Sequence, residues 1–99
     1  MNFEWDEGKN QINIAKHGLD LADAEELFNE RLPFLVAPDT AEDYGEDRWI
    51  GIGVINGRVV VAVFTEKGHD VIRLISLRKA NQEERRDYEE AVKNELGEG

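Results

Sequence analysis

The sequence contains no cysteine. That excludes a disulfide framework and any thiolate metal site, and it is compatible with a reducing cytoplasm. Only two histidines occur, and His17 and His69 stand too far apart for a local ligand pair, so a zinc site is not expected. No apolar run approaches the ~18 residues needed to cross a bilayer. The opening residues lack the basic-then-apolar pattern of a signal peptide, and no glycine-rich phosphate loop is present. Bases are also short: 12 Lys and Arg stand against 22 Asp and Glu, a net charge of −10. Such a field disfavours general coating of DNA or of anionic membranes. It suits a basic protein partner, although solubility alone is the plainer explanation.

What is present reads as one globular domain spanning residues 1–99, with 40% apolar and 34% charged residues. Phe3–Trp5 has the character of a short edge strand. Asp6 can cap a helix running to His17, stopped at Gly18. Asp20 can cap a second helix, with Leu21, Ala24, Leu27 and Phe28 as its buried stripe and Pro33 beyond its end. Phe34–Ala37 reads as a strand and Pro38–Asp47 as an acidic loop. Asn81 and Glu84 have the spacing of a capping box for a last helix, whose stripe is Tyr88, Ala91, Val92 and Leu96. The expected fold is α+β: an antiparallel sheet with two helices before it and one after.

The sharpest local signal is Asn56-Gly57 between two β-rich runs, Arg48–Ile55 and Arg58–Glu66, the pattern of a two-residue hairpin. Its register sets Ile55 opposite Arg58, Ile52 opposite Val61 and Ile50 opposite Val63. One face then carries Ile50, Ile52, Val54, Val59, Val61 and Val63, the expected core under the N-terminal helices. The other carries Gly51, Gly53, Ala62 and Phe64 and leaves room for something to approach. Val71–Leu77 is a third strand. An even-length turn before it would set Arg73 opposite Ala62, and an odd-length one would reverse its faces.

One basic island breaks the acidic background. Arg58, Lys67, Arg73, Arg78 and Lys79 are opposed there only by Glu66 and Asp70. Arginine presents a planar donor fork matched to phosphate, and lysine a compact charge. A carboxylate beside such cations supplies the minimum for metal-free RNA cleavage. One group takes the 2′-OH proton, cations stabilise the phosphorane, and a second group protonates the leaving oxygen. Glu66 and His17 are the proton-transfer candidates. The plainer reading is a surface salt-bridge lattice, with His17 simply ending a helix. The loop acids Asp39, Glu42, Asp43, Glu46 and Asp47 do not follow a calcium-loop pattern.

Four strings, Phe3-Glu4-Trp5-Asp6, Lys16-His17-Gly18, Arg73 to Ala80 and Glu84 to Glu89, occur in the order and spacing of one family. By them the chain resembles the BrnT-type toxins of type II toxin–antitoxin systems over most of its length. The resemblance implies a RelE-like ribonuclease fold and metal-free, cofactor-free RNA cleavage in the cytoplasm that suppresses translation. It also implies neutralisation by a basic BrnA-type ribbon-helix-helix antitoxin in a heterotetramer, through which alone DNA is contacted. On this reading His17, Glu66, Arg73, Arg78 and Lys79 are catalytic, and Lys16, Arg48 and Ser76 bind substrate. Leu77 departs from the pattern, standing where a small residue is usual. A non-catalytic acidic module that binds a basic partner is the rival reading.

Overall fold

The structure, a computed structural model, describes residues 1–95. The α+β expectation holds. The chain runs β1 (Asn2–Glu4), α1 (Glu7–His17), a 3-10 helix (Leu21–Phe28), β2 (Leu35–Pro38), β3 (Trp49–Ile55), β4 (Arg58–Lys67), β5 (Val71–Lys79) and α2 (Gln82–Glu95). One five-stranded sheet has the order β1-β5-β4-β3-β2. It is antiparallel except at its edge, where β1 runs parallel to β5.

The helix ends follow the polar residues that sequence reading picked out. The Asp6 carboxylate accepts the Lys9 amide at 2.9 Å, and Gly18, at φ 70°, closes α1 by donating to the Ile14 carbonyl. Asp20 caps the next element by accepting from the Ala22 amide. That element is a 3-10 helix rather than an α-helix, yet it still turns Leu21, Ala24 and Leu27 inward. At α2 the capping box forms in full. The Glu84 amide donates to Asn81 Oδ1 and the Asn81 amide to Glu84 Oε1. Leu96, expected in the α2 stripe, lies outside the described residues.

The hairpin register is as expected, with Ile55 opposite Arg58 through to Ile50 opposite Val63. Positive φ at Asn56 and Gly57 allows the two-residue turn. The assignment of its faces is overturned. The N-terminal helices cover the glycine-bearing face, where Leu21, Ala24 and Leu27 pack with Ile55, Val60, Ala62, Phe64, Ile72, Leu74 and Leu77. The room left at the glycines is filled from within the chain. A Cβ on Gly51 would sit 2.2 Å from Phe34 Cζ, and one on Gly53 would sit 2.8 Å from Leu27 Cδ2. Phe28 meets Phe3, Phe34 and Phe64 at centroid distances of 5.0–5.3 Å, so aromatic rings wedge this face closed. We call it the inner face.

The expected core face is instead the outer one. Val61 is buried there, whereas Ile50 is 37% exposed. α2 leans over it, with Tyr88 buried and its hydroxyl donating to the Pro33 carbonyl at 2.6 Å. Ile50, Ile52, Val61, Leu35 and Ala91 line the groove that remains between sheet and helix.

Candidate functional site

Residues 73, 76 and 78 cannot share one face of a regular strand, because side chains alternate. A bulge in β5 brings them together. Three residues, Gly68 to Asp70, connect β4 to β5, the odd-length case. Thr65 therefore faces Arg73, and Ala62 faces Leu77 rather than Arg73. The ladder then slips by one residue between Phe64 opposite Leu74 and Val63 opposite Ser76, leaving Ile75 as the extra residue. Before the slip Arg73 shares the outer face with Thr65. After it Ser76 and Arg78 share that same face with Val63 and Val61. Carrying the β3–β4 register one residue past Trp49 sets Arg48 level with Thr65. Arg48, Arg73, Ser76 and Arg78 thus form a polar strip along the outer face, beside the apolar groove under α2.

The remaining candidates are not gathered into that strip. Lys79 faces Val60 and Glu66 faces Ile72, so both leave from the inner side. Lys16 and His17 end α1, which runs along the free edge of β5. Asn13 there is level with Leu77, so Lys16 and His17 come one turn later, toward Lys79. Glu66 and His17 consequently lie toward opposite ends of β5. Leu77 is fully buried in the inner core, so its bulk fills the core and leaves the outer strip unchanged.

Carboxylates occupy the strip's guanidinium groups. Arg78 makes a fork-to-fork pair with Glu84, Nη1 to Oε1 and Nη2 to Oε2, each at 2.8 Å. Arg73 Nη1 pairs with Glu4 on β1. Arg48 stacks over Tyr44, 3.9 Å from the ring centroid, and shares Glu46 with Lys67. The two hydrogen bonds from Arg78 pull the Glu84 pKa down to about 2, against a desolvation cost that raises it. Among the described residues Lys16 and Lys79 have no carboxylate within ion-pair distance. No group of three or more His, Asp or Glu residues is placed to hold a metal ion among them either.

Sequence reasoning missed Asn13 and Asn10. Asn13 is buried. Its amide group donates to the Leu77 and Leu19 carbonyls and accepts from the Leu77 amide. Beyond the end of β1, one side chain thus satisfies the open edge of β5 and fixes the strand beside Ser76 and Arg78. Asn10 donates to Asp20 and accepts from the Leu21 amide. The signal was available in the sequence: α1 has no inward apolar stripe, and its asparagines sit three residues apart, on one side.

The family model described as "Ribonuclease toxin, BrnT, of type II toxin-antitoxin system" matches residues 5–84. Among solved structures the chain is similar to the ribonuclease toxin BrnT of Brucella abortus. The TM-score is 0.66 at 38% sequence identity, and the match covers 83% of this chain and 99% of that one. No curated protein matches the sequence.

Proposed function

The chain belongs to the BrnT family of ribonuclease toxins of type II toxin–antitoxin systems, and on that premise we propose that it is a metal-independent endoribonuclease whose substrate strand lies along the outer face of β5. The bulge carries this reading. It puts two arginines and a serine on one face, next to an apolar groove, in a chain that otherwise repels polyanions. Arg73 and Arg78 bind phosphates and stabilise charge developing on the phosphorane. Ser76 and Arg48 hold the neighbouring backbone. Lys16 and Lys79 extend the cationic surface around the β5 edge.

Proton transfer falls to His17 at the Arg78 end of the β5 edge, because Glu66 leaves from the inner side of the sheet, away from a strand on the outer face. Glu66 and His17 are therefore not an acid–base pair on one phosphodiester. Membership of a type II system implies an antitoxin. The net charge of −10 favours a basic one, of the BrnA ribbon-helix-helix type, joined in a cytoplasmic heterotetramer. The purified chain should cleave single-stranded RNA with excess chelator present. Cleavage that appears only when a divalent metal is supplied would reject metal independence.

A further inference from the structure

The site proposed above binds phosphate through Arg78, yet in this chain the Arg78 fork is already filled. Glu84 presents two carboxylate oxygens to Nη1 and Nη2 at 2.8 Å each. A phosphodiester would present two non-bridging oxygens to the same two donors in the same way. The pair is only half-shielded, with the Arg78 side chain 41% and the Glu84 side chain 29% exposed. Ion pairs at that exposure are weak enough to exchange. Glu84 is also tied to the backbone at Asn81, at the start of the helix that leans over the groove. Leaving Arg78 therefore reorganises the start of α2.

We propose that Glu84 is a positioning residue of the substrate site: its carboxylate holds the phosphate seat on Arg78 in the RNA-free chain and is exchanged for an RNA phosphate on binding. The proposal rests on the ribonuclease reading and adds to it that α2 takes part in the site. Glu84 keeps the guanidinium extended over the outer face and sets a threshold that a lone anion does not pass. A polyanionic strand that also reaches Arg73 and the lysines does pass it. The interaction with Glu4 holds Arg73 through a single nitrogen, so Arg78 is the more firmly occupied of the two.

A 2′-O-methyl oligoribonucleotide binds without being cleaved, so affinity can be read directly. Glu84→Gln removes the charge but keeps the acceptor that the capping box needs. It should tighten binding about tenfold, the scale of one charge-assisted pair. Asp87→Asn, which removes a neighbouring charge that touches no arginine, should change binding less than about twofold. In an Arg78→Ala background Glu84→Gln should give no gain. Equal gains from Glu84→Gln and Asp87→Asn, a gain that persists without Arg78, or no gain in a variant with an intact unfolding transition would each overturn the proposal.

The unmutated chain offers a second readout. The Arg78 Nε–Hε and Glu84 backbone amide resonances should shift together as the oligonucleotide is added. A Glu84 resonance that stays fixed while Arg78 moves would equally overturn it. Should the unmutated chain and Glu84→Gln both fail to bind or cleave RNA, the ribonuclease reading falls with it. Should the unmutated chain cleave through Arg78 while Glu84→Gln is silent, only the exchange falls.

Discussion

Asn13 does with one side chain what an edge strand does with its backbone. Its amide pairs with both the amide and the carbonyl of Leu77 in a buried place. Asn13→Ala leaves both groups without partners and should cost about 2–4 kcal/mol, the scale of stranding two buried polar groups. Chemical denaturation measures it, and a loss under about 1 kcal/mol would mean that water takes over both bonds. The residue type alone does not mark such a role, because asparagine favours caps and turns over helix interiors. Only the three-residue spacing of Asn10 and Asn13 on a helix without an apolar stripe points to it. The glycines misled for a related reason. Gly51 and Gly53 announce that something comes close, but not what comes. The visitor is Phe34, from the chain's own β2 approach, with Leu27 beside it. A glycine stripe therefore marks the buried face rather than an open one.

Local chemistry predicts elements well when the whole decision lies within a few residues. Asp6, Gly18, Asp20, Asn56-Gly57 and the Asn81–Glu84 box act over one to four positions, and each appears where the sequence placed it. The register of β5 was not legible in that way, because it depends on a three-residue turn and a bulge at Ile75. An alternating pattern of Val, Ile and Leu fits either phase. The spacing of Arg73, Ser76 and Arg78 held the missing clue, since only a slipped ladder puts all three on one face.

α2 makes its own prediction. Glu84 titrates near 2 when folded, below its ordinary value of 4.5, because of Arg78. A depressed carboxylate pKa contributes stability that is fully present above the unfolded value and is lost as pH falls through the folded one. Glu84→Gln should thus lower stability by about 1–2 kcal/mol near neutrality, given the partial exposure of the pair. The gap to the unmutated chain should narrow from about pH 5 toward pH 2. Thermal unfolding across that range checks it, and a gap independent of pH would remove the charge from the account.

At the scale of the molecule, an acidic protein handles a polyanion by concentrating its cations. Residues 1–57 carry thirteen acids against four bases, and residues 80–99 carry seven against three. On the proposed function, the island between them would meet RNA along β5 and its edge. The ordered strings Phe3 to Asp6, Lys16 to Gly18 and Arg73 to Ala80 were enough to place the family. They were not enough to place the site, because sharing a face is a property of register. The fold keeps Arg48, Arg73, Ser76 and Arg78 together, turns Glu66 and Lys79 to the other face, and leaves Lys16 and His17 at the edge. The central claim is that the outer-face arginines cleave RNA. The measurement that bears on it most directly is chelator-resistant RNA cleavage by the unmutated chain, Arg73→Ala and Arg78→Ala, each with its unfolding transition intact. Each substitution should lower the rate at least about a hundredfold, the scale of losing one stabiliser of developing charge. Undiminished cleavage in both variants would contradict the claim.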